Sequence, residues 1–313
     1  MVEPQPDDGS VVIAVLTYKR DDDLRELLPA LAVQARDLGG DVEILVVDND
    51  PMRSGEATVR LVADPRIRYV HEPGPGIAAA RNRALAESAT HGVLLFIDDD
   101  ERPSATWLST MVGLYRAERP AAVVGPVVSE YAIEPDRWIS AGRFFDRRRL
   151  PTGTPVVAAA TNNLLLDLSV VRREGLTFDE KFGLSGGSDT LFTRRLVAAG
   201  GRMLWCADAP VVDVVPASRL TRRWVLQKAF RSGNSWVRTS LELAGSRPRR
   251  GLVRCECAAK GMVRLAGGAA RLAVGLAGAG IGQRARGLRT MARGAGLVTG
   301  AFGYVYVEYR RTP

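Results

Sequence analysis

The stretch Leu94-Leu95-Phe96-Ile97-Asp98-Asp99-Asp100-Glu101 runs four apolar residues straight into four carboxylates. The apolar half reads as a buried strand. An unpaired carboxylate is costly to bury, so the acidic half belongs where the strand leaves the core for a wet, polar place. Asp98 and Asp100 stand two apart, and in extended geometry their side chains share one side, where a hard divalent cation can bridge them to a phosphate. Taken alone, the run reads equally as a solvated turn or as the first turn of a helix, whose dipole favours negative charge.

Upstream, strand and helix alternate. Val11–Tyr18 is an apolar, β-branched run; Asp21–Asp37 carries Leu24, Leu27, Leu28 and Leu31 at helical spacing, with Asp21 and Asp22 as caps. Val42–Val47 is a second strand ending at Asp48, Asn49 and Asp50, and Ile67–His71 is a third. The turn Glu72-Pro73-Gly74-Pro75-Gly76 leads into a helix over Ile77–Ser88, and Val93–Ile97 is the fourth strand. Such repetition predicts an α/β fold, a mostly parallel sheet flanked by helices, with ligands beyond the carboxyl ends of its strands. Three of those ends are polar: Thr17 and Tyr18, Asp48 and Asp50, and Asp98 to Asp100.

A chain of 313 residues, 46% hydrophobic and 25% charged, suffices for one large domain or a domain with an appendage. Met1–Ser10 is acidic and proline-bearing, unlike a signal peptide, and reads as a flexible N-terminus over 1–10. Cys206, Cys255 and Cys257 have no histidine nearby to complete a zinc site, so free thiols in a reducing cytoplasm are expected. From Arg219 to Pro313 there are 19 Lys and Arg against 3 acids, whereas the remainder has 24 against 32. The basic region lacks interleaved aromatics and known nucleic-acid-binding patterns, so no nucleic acid is expected as a partner. Its wealth of Leu, Ala, Val and Gly leaves two readings, an anionic membrane surface or helices packed on the main domain. Its uncharged stretches, Leu272–Gln283 and Gly294–Val307, are shorter than the roughly 20 residues of a membrane crossing.

The succession Thr17-Tyr18-Lys19-Arg20, Val46-Val47-Asp48-Asn49-Asp50, Gly76-Ile77-Ala78-Ala79-Ala80-Arg81-Asn82 and Phe96-Ile97-Asp98-Asp99-Asp100 resembles the family 2 glycosyltransferases of GT-A fold. The likeness continues into the segment from Phe178 to Asp189 and covers about residues 10 to 235. It implies an inverting transferase domain over 11–235 and a basic helical region over 236–313. The reaction implied is transfer of one sugar from a nucleotide diphosphate sugar, most often a uridine diphosphate sugar, to an acceptor hydroxyl. The acceptor expected is a glycan, glycolipid or small molecule of bacterial polysaccharide, glycolipid or glycoconjugate assembly, met in the cytoplasm, and the membrane-surface reading of the basic region would place the enzyme peripherally on the inner face of the membrane.

By the same resemblance, Asp98 and Asp100 hold Mn²⁺ or Mg²⁺ against the two phosphates, where the cation neutralises the leaving diphosphate. Thr17, Tyr18, Arg20, Asp48, Asp50, Arg81, Asn82, Asp98, Asp99 and Asn163 are the implied nucleotide-sugar contacts. On the residues alone, Arg81 and Asn82 also read as an exposed helix face, and Asn163 as a buried amide serving backbone groups. Asp99 lies on the opposite side of an extended chain from its neighbours, to bond sugar hydroxyls or support the loop. Asp189 is the implied general base, although the residue also reads as a helix cap. The family commonly has Glu-Asp there, and this chain has Ser188-Asp189.

Further strands are expected over Val123–Val128 and Pro155–Leu166, a mobile loop over Ile139–Thr154, and short strands at Met203–Cys206 and Val211–Val215. Arg223-Trp224 matches part of the Gln-x-x-Arg-Trp of processive synthases, but Leu220 stands at the Gln, which favours single addition. A nucleotidyltransferase would need a glycine-rich phosphate loop after the first strand, and Thr17-Tyr18-Lys19-Arg20 has no glycine. A non-catalytic sugar or nucleic-acid binding protein would leave Asp98, Asp100 and Asp189 without a joint purpose.

Overall fold

Alternation of side chains decides where the sheet lies. In the computed structural model, which describes residues 7–183 and 185–306, β1 (Asp7–Thr17) sends Val11, Ile13 and Val15 into one hydrophobic cluster and Val12, Ala14 and Leu16 into another. Both faces are thus buried, as a sheet covered by helices on each side requires. Residues 1–6 of the expected flexible N-terminus and the last uncharged residue considered above, Val307, lie outside the described residues; 7–10 already belong to β1.

The elements that follow are α1 (Asp21–Leu38), β2 (Val42–Asp48), α2 (Gly55–Val62), β3 (Ile67–His71), α3 (Ile77–Glu87), β4 (His91–Asp98), β5 (Glu101–Pro103), α4 (Trp107–Glu118), β6 (Ala122–Val124), β7 (Val127–Tyr131) and α5 (Arg137–Gly142). They continue with β8 (Asn163–Asp167), α6 (Leu168–Arg173), α7 (Ser188–Ala198), β9 (Met203–Trp205), β10 (Val211–Val215), α8 (Arg222–Leu243), α9 (Arg247–Val274) and α10 (Ile281–Ala301). The chain divides into two compact units. The first runs to Val128 and adds Arg147–Gly183 and Ser188–Asp213.

The first unit holds a seven-stranded sheet in the order β3-β2-β1-β4-β8-β6-β9. Strands β3, β2, β1 and β4 run parallel, β8 is antiparallel to β4 and β6, and β9 is parallel to β6. Register sets Thr17 opposite Asp48, Asp48 opposite His71, and Leu16 opposite Asp98. The polar strand ends read from the sequence therefore share one end of the sheet. Three helices of this unit went unforeseen, α2, α4 and α6.

Prolines reshape two of the expected strands. Val123–Val128 is interrupted at Gly125-Pro126, because Pro126 has no N–H to give a ladder. Only Asn163–Asp167 of the second pairs as a strand, and the segment from Pro155 to Asn162 is irregular apart from one bridge between Pro155 and Leu204. The expected mobile loop over Ile139–Thr154 is corrected as well. Its first part belongs to α5 and buries Phe144 and Phe145, while Gly153 donates its N–H to the Trp205 carbonyl at 2.8 Å.

The second unit comprises Ser129–Asp146, 184–187 and the chain from Val214. It begins ahead of the boundary at 236 expected from sequence. Its core is aromatic at one end, where Trp138 stacks on Phe144 at 4.9 Å and Phe145 on Trp224 at 5.8 Å. At the other end three helices meet through small residues. A Cβ built on Gly261 would lie 2.9 Å from the Gly294 carbonyl, and one on Gly268 would lie 2.8 Å from that of Gly287, so α9 and α10 are antiparallel and nearly in backbone contact. No helix among the described residues is long and apolar enough to cross a membrane.

Gly296 on α10 is the tightest point, since its Cβ would lie 1.9 Å from the Phe230 carbonyl oxygen on α8. Backbone cannot yield as a side chain can. Gly296→Val is expected to destabilise the second unit by about 3 kcal/mol or more. Gly251→Ala on α9, where a Cβ meets nothing within 4 Å, is expected to gain up to about 1 kcal/mol of helix propensity. Thermal unfolding followed by circular dichroism measures both, and equal effects would refute the close-packing account.

Candidate active site

A row of phenylalanines positions the charged residues of the first unit. Phe96 lies two residues before Asp98 in β4, and its ring meets Phe178 edge-on at 5.9 Å between centroids. Phe178 in turn stacks on Phe192 at 4.1 Å. Phe192 follows Asp189 by three residues on α7, so the two share a helix face. The guanidinium of Arg81, from α3, lies 5.5 Å from the centre of the Phe178 ring and donates from Nη1 to Ser188 Oγ at 2.7 Å. One aromatic stack therefore fixes the end of β4, the start of α7 and a cation between them.

Burial pushes Asp98 up to about 6; Arg81 and Arg20 pull it back, while Asp100 and Asp189 add to the rise. The Asp189 charge thus lies near enough to Asp98 to disfavour ionisation there. Asp189 opens α7, and its Oδ1 accepts the Thr190 N–H at 2.6 Å.

The chain turns at Asp99 and Asp100, where β4 has already ended at Asp98. Extended geometry, assumed above for Asp98 to Asp100, therefore stops one residue short of Asp99. Arg20 Nη1 spans the turn, 2.9 Å from Asp99 Oδ1 and 2.5 Å from Asp100 Oδ2. Asp99 is 4% exposed, and its carboxyl is pushed up to about 7 by burial, against the pull of Arg20. The buried Thr17 hydroxyl faces Asp99 and favours its charged form without closing a hydrogen bond.

Glu101, 2% exposed, supports the turn from beneath. Its Oε1 accepts from Asn162 Nδ2 at 2.6 Å and its Oε2 from the Asp98 N–H at 3.4 Å. Burial holds this carboxyl well above the usual range, with Asp98 adding to the rise. Opposite Glu101 in the β5–β10 register stands Asp213, which accepts from Arg147 Nη2 at 2.6 Å.

At the end of β2, Asp48 is fully buried, and both its oxygens are taken up by the protein. Oδ1 accepts the Asp50 N–H at 2.8 Å, and Oδ2 accepts the Gly55 N–H at 2.9 Å and the Tyr69 hydroxyl at 3.0 Å. Asn49 donates to the carbonyls of Glu72 and Gly74 and accepts the Gly76 N–H at 3.1 Å. That bond sets the turn into α3, where Gly76 takes φ +109° beside the Gly183 backbone. Asp50 is 2% exposed, and its Oδ1 accepts the Met52 N–H at 3.3 Å.

Residues 11–172 match the model of glycosyl transferase family 2. The succinoglycan biosynthesis protein ExoM of Rhizobium meliloti (strain 1021) is 33% identical over 235 residues, 74% of this chain and 75% of ExoM. The chain belongs to glycosyl transferase family 2. As a family 2 glycosyltransferase it is an enzyme, which sets aside the nucleotidyltransferase and the non-catalytic binding protein. Its fold is GT-A. The Staphylococcus aureus TarS 1–349 structure in complex with UDP aligns with TM-score 0.52 at 14% identity over 91% of this chain and 90% of TarS 1–349. GalNAc-T7 with UDP, GalNAc and Mn²⁺ aligns with TM-score 0.53 at 12% identity over 73% of this chain and 50% of that one.

Within this glycosyltransferase the structure brings Arg20, Asp98, Asp99, Asp100, Arg81 and Asp189 together, with Thr17 beside Asp99. Tyr18, 39% exposed, lies next to Lys19, whose ammonium is 5.3 Å from its ring centre. Three expected contacts instead have their polar atoms engaged by the fold. Asp48 is one. Asn82 exchanges hydrogen bonds with the Phe178 backbone at 2.8 and 2.9 Å, and Asn163 accepts from Trp107 Nε1 and donates to the carbonyls of Pro126 and Ala209. Sequence reasoning missed Asn162, Asn49 and the phenylalanine stack, and it gave Glu101, as an acid following the Asp run, only a supporting or surface role.

Proposed function

We propose that this family 2 glycosyltransferase is inverting and moves a single sugar from a uridine diphosphate sugar to an acceptor hydroxyl. The observation that carries the reading is that Asp98, at the end of β4, meets both Arg81 from α3 and the Asp189 charge from α7. Asp189 takes the acceptor proton as the acceptor oxygen attacks the anomeric carbon, and the sugar–phosphate bond breaks with its electron pair going to the diphosphate. Arg81 and Arg20 offer positive charge to that leaving group. Thr17, Tyr18 and Asp50 line the nucleoside side at the ends of β1 and β2.

A divalent cation fits the residues present. Asp98 and Asp100 are hard oxygen donors, and the repulsion that Asp98 feels from Asp100 and Asp189 is what a cation would relieve. Among the described residues no group of three or more His, Cys, Asp or Glu is arranged to enclose a metal, which suits an ion that takes its other ligands from phosphate oxygens and water. Bound there, Mn²⁺ or Mg²⁺ would neutralise the departing diphosphate.

The relative ExoM, a succinoglycan biosynthesis protein, supports an acceptor from polysaccharide, glycolipid or glycoconjugate assembly. Free thiols at Cys206, Cys255 and Cys257 suit a reducing cytoplasm. Screening nucleotide sugars for slow hydrolysis tests the donor without an acceptor. Hydrolysis of a uridine diphosphate sugar that Mn²⁺ supports and a chelator stops is expected; a preference for a donor with another base, or rates indifferent to chelation, would overturn the corresponding part of the proposal.

A further inference from the structure

The long helix α9 carries an eleven-residue pattern on its outer side. Leu252, Val263 and Val274 are eleven apart, and so are Arg249, Lys260 and Arg271. Eleven residues make just over three whole turns, so each set forms a line along the helix, and the two lines run side by side about 60° apart. From Arg249 to Arg271 the lines extend about 33 Å. The opposite side is the packed one: Cys257, Gly261 and Gly268 are buried, with the two glycines against α10.

The apolar line is open to solvent. Leu252 is 71% exposed, Val263 72% and Val274 54%, and Met262 beside them is 58% exposed. Arg249, Lys260 and Arg271 are exposed too, and α9 as a whole carries seven Lys and Arg against one acid, Glu256, which pairs with Lys260. A solvated helix face is normally polar and of mixed charge. A face with an apolar line edged by cations has the chemistry of the boundary between lipid headgroups and acyl chains.

We propose that the outer face of α9 lies on an anionic lipid surface, with Leu252, Val263 and Val274 in the acyl boundary and Arg249, Lys260 and Arg271 among the phosphates. This holds the enzyme at the membrane plane, where it meets lipid-held acceptors; that last step rests on the transferase reading. Nucleic acid would satisfy the cations but would leave the line of Leu and Val facing a hydrophilic backbone. Charge complementarity together with the apolar line favours lipid.

Co-sedimentation of the full chain with vesicles tests the assignment. Binding is expected to vesicles rich in phosphatidylglycerol and not to phosphatidylcholine alone, with release at about 1 M salt. The triple variant Arg249→Gln, Lys260→Gln, Arg271→Gln is expected to weaken binding about a hundredfold, and Val263→Asp about tenfold. Leu61→Asp, at an exposed leucine of α2, is expected to bind vesicles as the wild type does. Equal binding to both lipids, indifference to Val263→Asp, a dimer in sedimentation velocity that Val263→Asp splits, or RNA binding in place of vesicle binding would each overturn the proposal. Calorimetry with uridine diphosphate on the same preparations separates the readings. Intact nucleotide binding without vesicle binding refutes the lipid surface alone, and the reverse refutes the donor assignment alone.

Discussion

Asp189→Asn is expected to bind uridine diphosphate and its sugars as the wild type does, yet to transfer sugar about 10²- to 10⁴-fold more slowly. The substitution is nearly isosteric. An asparagine oxygen can still accept the Thr190 N–H that Asp189 Oδ1 accepts at 2.6 Å, so the first turn of α7 keeps its internal bond. Phe192 and its stack on Phe178 are untouched. What disappears is the group able to take a proton from the acceptor hydroxyl. Transfer at the wild-type rate would place the base elsewhere, and loss of donor binding together with transfer would make Asp189 a residue of the fold. Single-turnover rates beside calorimetric affinities distinguish these outcomes.

Asp98→Asn should give the opposite pairing, a more stable protein that has lost its metal-dependent nucleotide binding. Burial raises the Asp98 carboxyl to about 6 in the folded chain, from an ordinary value of 3.8. A raised carboxyl lends stability while it is protonated, and that contribution is lost as pH rises through about 6. A permanently neutral asparagine keeps it, so the melting temperature at neutral pH is expected to rise. Affinity for uridine diphosphate in the presence of Mn²⁺ is expected to fall about a hundredfold, as also in Asp100→Asn, because several kcal/mol of ion-mediated attraction are removed. In the wild type the same affinity should decline as pH drops through about 6, when protonated Asp98 no longer serves as a ligand. Unchanged Mn²⁺ dependence in both variants would remove the metal from these residues.

Much of this arrangement was legible in the chain itself. The four parallel strands and their polar ends follow from apolar runs that stop at Thr17, Asp48 and Asp98, because short continuous apolar runs alternating with helices leave few folds besides a parallel sheet covered on both faces. Two things were not legible. Asp48, Asn82 and Asn163 carry polar groups suited to a ligand, but which partner takes them depends on backbone brought from distant positions: the Gly55 N–H, the Phe178 peptide and the Pro126 carbonyl. The phenylalanine stack was hidden for the same reason. Phe96, Phe178 and Phe192 look like ordinary core residues until β4, the segment after α6, and α7 are brought together. The Asp98–Asp100 run misled in a smaller way, since an extended chain was assumed where Arg20 draws two neighbouring carboxylates into a turn.

The division of the chain also bears on how the protein is made. Trp138, Ile139, Phe144 and Phe145 emerge from the ribosome early, but the residues that bury them, Trp224, Val225 and Ala285, come much later. At about 5–20 residues per second, the interval between Phe145 and Ala285 is roughly 7 to 28 seconds. Throughout that time the aromatic segment lacks part of its cover. Slowing translation between residues 145 and 285 is expected to increase the share of chains that aggregate, read as the insoluble fraction.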